Sequence, residues 1–157
     1  MLRDGNIGAA KLALKKNGLA LLTTPIPPRS LTFFNVRSAS RCGVAGIVFP
    51  ADEEKVIANK KGGAIALPFG VFAWWYEDDT DLVVPFLGDT SKAHKAGQFT
   101  DFFLTGSNGI FTGFTTDYVS QAWDLEEDIV KSLVGSQPGS GIVKLDASFQ
   151  MLEPKEH

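Results

Sequence analysis

Hydrophobic residues fall in short runs, many with period-two alternation, over the first 115 positions of the chain, a pattern typical of β-strands. The stretch 62–87 holds the longest of these patterns. It predicts two strands, 71–76 and 81–87, paired as a hairpin across a polar turn at 77–80.

The strand 71–76 has two apolar faces. Its alternate residues point to opposite sides, with Val71, Ala73 and Trp75 on one side and Phe72, Trp74 and Tyr76 on the other. We therefore expect this hairpin either to be buried on both sides or to pack one face against another subunit.

Other runs predict further strands, at 19–22, 43–49, 55–58 and 142–145, whereas 7–14 fits either a strand or a helix. Asn17-Gly18 is a strong hairpin signal between the first two runs. Prolines at 25, 27 and 28 predict that no central strand continues through 23–29, because proline has no N–H to donate. The segment 31–36 fits one more strand.

Helical spacing replaces the alternation after residue 115. Thr116 is the predicted N-cap of a helix over 117–123, and Asp124 with Glu127 predicts the start of a second helix. We expect Gly135 to end that helix. Its apolar stripe consists of Leu125, Ile129, Val130, Leu133 and Val134.

Composition narrows the functional classes. The 157 residues suit one domain, and a net charge of −3 without a basic tract argues against nucleic acid or an anionic membrane as partner. No apolar run is long enough for a membrane span, and the first residues do not resemble a signal peptide. With Cys42 as the single cysteine, no intrachain disulfide is possible. We expect a cytoplasmic protein.

The side chains that carry chemistry are sparse. Only two histidines occur, His94 and His157, so a histidine metal site or a catalytic triad would depend on His94 in an irregular loop. A solvated loop histidine is the expected alternative. The acidic residues of 77–81 lack the spacing of a calcium loop and are expected to form a solvated turn. The residues by themselves thus favour a structural or binding protein.

The stretch that starts at Gly62 resembles the second motif of the cupin superfamily. That motif is a glycine, five residues, Pro-x-Gly, two residues, a metal-binding histidine, three residues and an asparagine. Gly62, Pro68 and Gly70 match its scaffold positions. Ala73 stands at the histidine position and Glu77 at the asparagine position. Since alanine cannot bind a metal, the resemblance implies the cupin fold without the metal and without a cofactor.

Five further segments resemble the N-terminal cupin unit of legumin- and glutelin-type seed storage globulins. They are 86–90, 98–106, 109–116, 124–134 and 141–145. The resemblance implies a mainly β fold, a cupin-type jelly-roll barrel with a C-terminal helical arm. The barrel would span 1–115, the arm 116–136, a returning strand 137–150 and the start of an interdomain linker 151–157. In that family a second cupin domain follows.

Residues 22–42 depart from the family pattern. If 26–35 is read one base earlier in its codons, the segment becomes Asp-Ser-Ala-Lys-Val-Ala-Tyr-Val-Leu-Gln, which is similar to the family's strand at this point. One hypothesis is a frameshift, in the gene or its reading, that begins near Leu21 and is restored before Gly43. The alternative is a divergent loop.

The resemblance implies a non-enzymatic cupin of the nutrient-reservoir type that self-associates, with paired arms and barrels that assemble into dimers or trimers. The expected contact residues lie on the arm: Trp123, Leu125, Ile129 and Leu133. The alternative function is a small-ligand-binding module with an apolar barrel pocket. In that case Ala73 would leave room for a ligand and Trp75 would line the pocket.

Overall fold

The chain folds into two antiparallel sheets followed by two helices and a last short strand. The computed structural model describes residues 6–26, 30–33, 35–36, 43–60, 62–91, 93–95 and 98–151. The strands in these ranges are β1 (Ile7–Leu14), β2 (Gly18–Ile26), β3 (Ser30–Phe33), β4 (Asn35–Val36), β5 (Val44–Val48), β6 (Lys55–Ala58), β7 (Ala64–Leu67), β8 (Phe72–Glu77), β9 (Leu82–Asp89), β10 (Thr100–Phe103) and β11 (Ile142–Lys144).

The two sheets enclose one core. The first sheet has the order β1-β9-β3-β7 with β4 beside β9, and the second has the order β10-β2-β8-β5-β6 with β11 beside β2. Inward-facing residues of both sheets meet in a single buried cluster, as in a jelly roll. Its members are Leu14, Ala20, Ala45, Ile47, Leu67, Val71, Ala73, Trp75, Leu82 and Val84. The expected mainly β jelly-roll barrel is confirmed.

The hairpin prediction is wrong, although its strands are nearly right. β8 pairs with β2 and β5, so both of its hydrogen-bonding edges are occupied. β9 therefore crosses to the other sheet, where β1 lies on one side of it and β3 and β4 on the other. The same holds at Asn17-Gly18: the turn forms, but β1 and β2 belong to different sheets.

The prolines were predicted to exclude a central strand over 23–29; β2 runs to Ile26, but at Pro25 it is an edge strand with a neighbour on one side only. β8 lies beside β2 only as far as Thr23, whereas β10 continues beside it and pairs Asp101 with Pro25. A proline is tolerated there because one side of the strand has no ladder to interrupt. The frameshift hypothesis for 22–42 stays a prediction, and residues 27–29, 34 and 37–42 lie outside the described part.

Both faces of β8 are buried, as predicted, and the chain itself covers the outer one. The indole of Trp74 lies against Gly46, where an added Cβ would come within 2.0 Å of Trp74 Cε2. Trp74 Nε1 donates to Glu54 Oε1 at 2.6 Å. The ring of Phe149 packs edge-on against Tyr76, with centroids 6.0 Å apart. The outer face is thus covered without another subunit.

Glu77 corrects the expectation that the whole acidic turn is solvated. Its side chain is 0% exposed, and Oε1 accepts hydrogen bonds from the backbone N–H groups of Asp79 at 2.9 Å and Thr80 at 3.1 Å. Oε2 is buried and has no hydrogen-bond partner among the described residues. Desolvation raises the pKa of Glu77 above its ordinary value despite those two hydrogen bonds. Glu77 therefore shapes the crossover between the sheets.

The helical arm follows β10 and a 3-10 turn at Ile110–Gly113. It consists of α1 (Thr116–Trp123) and α2 (Glu127–Gly135). In the described part of the chain, no helix is long and apolar enough to cross a membrane.

The predicted ends of these helices are shifted. Thr115 rather than Thr116 is the N-cap of α1, and its hydroxyl accepts from the N–H of Tyr118 at 3.3 Å. Asp124 does not begin α2; it ends α1 in the left-handed region, with φ 54°. Gly135 is the last residue of α2, and Ser136 is its C-cap. Several polar residues near the helix ends suit more than one capping position, which explains why the predicted ends are shifted.

Gly46→Ala should destabilise the protein, because the new methyl group would clash with the Trp74 indole and force it off the sheet. We expect a loss of about 1–3 kcal/mol in the free energy of unfolding, as for overpacked cores. Gly113→Ala is the matched control, since an added Cβ there has nothing within 4 Å. Chemical denaturation followed by circular dichroism measures both; equal stabilities would contradict this role of Gly46.

Glu77→Gln should change how stability depends on pH. A raised folded-state pKa means that the contribution of wild-type Glu77 is fully present below its unfolded pKa, near 4.5, and is lost as the pH rises through the folded pKa. The stability of wild type relative to the Gln variant should therefore fall between acidic and neutral pH. Glu53→Gln, at an exposed glutamate, is the control. Parallel pH profiles for wild type and Glu77→Gln would contradict the raised pKa.

Candidate functional site

The cupin metal position contains no ligand. Ala73 is 0% exposed and lies in the sheet between Thr23 of β2 and Ile47 of β5. A methyl group offers no lone pair to a metal. Among the described residues, no three His, Cys, Asp or Glu side chains form a group that could hold a metal ion. His94 is exposed, and its ring makes an edge contact with Phe102, with centroids 6.5 Å apart.

The scaffold residues of the motif shape the turns at either end of β7. Gly62 has φ +75° and Gly70 has φ +81°, conformations that favour glycine. The carbonyl of Pro68 accepts from the N–H of Val71 at 3.4 Å. The turn at Gly62 connects β6 to β7, and the turn at Pro68–Gly70 connects β7 to β8 in the other sheet, which brings Ala73 and Trp75 into the core.

A cavity of about 340 Å³, here called the barrel cavity, opens between the sheets near β10. Its walls are formed by residues of β1, β8, β9 and β10 and by the segment before β11. They include Ala10, Leu12, Trp75, Phe86, Phe99, Asp101, Phe103 and Ser140–Ile142. Trp75 and Phe86 meet edge to face, with centroids 5.3 Å apart. Trp75 thus lies where a pocket-lining residue was expected, whereas Ala73 packs in the core and is not part of this lining.

Asp101 is the cavity residue that the sequence reasoning missed. By surface area the residue is exposed, yet protein atoms crowd its carboxyl group enough that desolvation raises its pKa above the ordinary value. The signal was present in the alternation of Phe99, Asp101 and Phe103, with a charged residue between two aromatic ones on one strand face.

The arm presents an apolar surface to solvent. Val119 and Val130 are buried where α1 and α2 pack, with 2% and 1% exposure. The large exposed residues, here called the arm surface, are Ile110, Phe114, Tyr118, Trp123, Ile129 and Leu133. Of the four contact residues expected from the sequence, three belong to this surface, whereas Leu125 is half-buried.

Aromatic contacts hold this surface together. Phe111 packs against Trp123 with centroids 4.6 Å apart, and Phe114 lies 5.2 Å from Tyr118. A second cavity of about 390 Å³ separates this part of the arm from the barrel and is lined by Phe111, Leu133 and Leu104 among others. The arm is therefore packed internally but only partly seated on its own barrel.

The sequence is similar to plant storage globulins. No family model matches the chain. It is 28% identical to the 11S globulin seed storage protein Ana o 2.0101 of Anacardium occidentale over 68% of the chain, and 24% identical to the 11S globulin subunit beta of Cucurbita maxima over 99%. A third relative, Glutelin type-A 2 of Oryza sativa subsp. japonica, is 27% identical over 68% of the chain. The chain spans only 27%, 38% and 25% of the length of these relatives.

Solved structures agree on the fold. Procruciferin, the 11S globulin from Brassica napus, superposes with a TM-score of 0.81 and 22% identity, covering 98% of this chain and 45% of that one. Vicilin from Solanum lycopersicum gives a TM-score of 0.78 and 19% identity, covering 93% of this chain and 40% of that one. The sequence is thus similar to that of seed storage globulins, and the chain shares the fold of their solved structures.

Proposed function

We propose that the protein is a non-enzymatic nutrient reservoir whose modules self-associate through the arm surface. The carrying observation is the exposed apolar arm: Tyr118 is 57%, Ile129 51% and Leu133 48% exposed. Contiguous apolar surface of this kind marks interaction sites in soluble proteins. The similarity to 11S globulins and glutelins supports the storage role.

A second copy of this chain is the proposed occupant of the arm surface. The charged side chains of α2 pair with one another and not with its apolar residues. Lys131 lies 3.4 Å from Glu127 and 3.5 Å from Asp128. An arm from a second copy would bring aromatic and aliphatic side chains of the same kind, which is the self-complementarity that a symmetric dimer needs. Dimers formed in this way could assemble further into rings of barrels.

The absence of catalysis is part of the proposal. It is supported by the buried methyl group of Ala73 at the position where the motif carries its metal-binding histidine. The neighbouring core residues Ile47 and Val71 are apolar and 2% and 0% exposed, and the hydroxyl of the adjacent Thr23 is used in a hydrogen bond to the Phe102 carbonyl. The described part of the core therefore favours packing over chemistry.

Ile129→Asp should weaken self-association, because it places a charge in the centre of the apolar side of α2. We expect the dissociation constant to rise at least tenfold, roughly 1.4 kcal/mol, in sedimentation equilibrium. Ser132→Asp adds the same charge at an exposed polar position of α2 and should leave the constant unchanged. Equal dissociation constants for wild type and Ile129→Asp would contradict self-association through the arm surface.

The storage role predicts that the protein accumulates during seed maturation and declines during germination, because a reservoir is consumed. Quantitative immunoblotting of staged seeds measures this course. A constant low level in all tissues would contradict a reservoir and favour a vegetative role. Fractionation of the same samples would check the cytoplasmic location, which stays a prediction.

A further inference from the structure

The barrel cavity has the form of a small-molecule site. Its volume of about 340 Å³ lies in the range of about 300–1,000 Å³ that is typical of ligand pockets. Trp75, Phe86, Phe99 and Phe103 form an aromatic enclosure around it. The three phenylalanines are only half-buried. A flat apolar molecule would complete the packing that these rings leave open.

One charged side chain faces into this enclosure. Phe99, Asp101 and Phe103 all line the cavity, whereas Thr100 and Phe102 between them do not, as strand alternation requires. Lys11 of β1 also lies at the cavity wall, but the alternation of buried and exposed residues along β1 places it on the exposed side of the strand. Its even-numbered neighbours Ala10 and Leu12 are the more buried ones, whereas Lys11 itself is exposed.

Two polar groups at the cavity have no partner among the described residues that satisfies them. Trp75 is 2% exposed, yet its Nε1–H donates to no acceptor in the described structure. An indole N–H can only donate, so this proton requires an oxygen or nitrogen acceptor. Desolvation raises the pKa of Asp101, and among the described residues no cation offsets it. The cavity therefore lacks an acceptor at Trp75 and a cation at Asp101.

We propose that the barrel cavity binds a small aromatic molecule that carries a protonated amine and an oxygen acceptor. The amine would donate to the Asp101 carboxylate, the ring would pack among the phenylalanines, and the oxygen would accept from Trp75 Nε1. An ammonium group beside several aromatic rings also gains cation–π attraction. This activity is separate from the proposed storage assembly, because the cavity lies inside the barrel and the arm surface lies outside it.

Three probes with the same phenol ring test the charge requirement in calorimetric titrations: tyramine, p-cresol and 4-hydroxyphenylacetate. Tyramine should bind about tenfold more tightly than p-cresol, because only tyramine supplies the charged hydrogen bond to Asp101. The acetate should bind least, since its carboxylate would face Asp101. Tighter binding of the acetate, or no heat from any probe at millimolar concentration, would overturn the proposal.

Matched variants distinguish binding in the barrel cavity from adventitious binding elsewhere on the protein. Asp101→Asn should reduce tyramine affinity about tenfold, to the level of p-cresol, and leave p-cresol unchanged. Asp117→Asn removes the same charge from exposed α1 and should change neither affinity. Ala10→Leu fills the cavity from β1 and should abolish binding of all three probes while the thermal midpoint is kept.

Tyramine binding that survives both Asp101→Asn and Ala10→Leu would contradict the proposal, because the ligand would then lie elsewhere. Sedimentation equilibrium of the same two variants tests the storage assembly separately from ligand binding. Neither residue belongs to the arm surface, so both variants should associate like wild type.

Discussion

The burial of both faces of β8 is the constraint on which the rest of the fold depends. Its hydrogen-bonding edges are occupied by β2 and β5 and its inner face by the core, which leaves one face to cover. Gly46 makes room for the Trp74 indole on that face, and Phe149 from the C-terminal segment packs on Tyr76. The barrel and the segment after the arm are therefore tied together through one strand.

The same strand determines what the interior can do. With alanine at the motif's histidine position, the centre of the barrel is filled by apolar packing around Ala73. A cavity lies nearer to β10, where Trp75 meets Phe86 and Asp101 lines the opening. One end of the β8 inner face is therefore packed core, while a neighbouring cavity is lined by Trp75 and Asp101, whose polar groups a ligand could satisfy. Storage by assembly and binding in the barrel involve different surfaces and do not conflict.

Much of the fold follows from the sequence, because period-two alternation located most strands and 3.6-residue spacing located both helices. Strand pairing did not follow. A turn signal such as Asn17-Gly18 predicts a reversal, but whether the next strand stays in the same sheet depends on which edges are free. The error at Asp124 has a similar origin, since a short acidic side chain suits both an N-cap and a left-handed C-terminus. Asp101 was overlooked because its importance depends on a cavity that only the packed sheets create.

Self-association is the central claim, and it depends on a surface whose large apolar residues remain exposed in the single chain. The most direct measurement is the molar mass of the purified intact protein by light scattering, over a wide concentration range. Association through the arm predicts the mass of a dimer, or of a ring of dimers, that dissociates on dilution. A monomer mass at every concentration would contradict it.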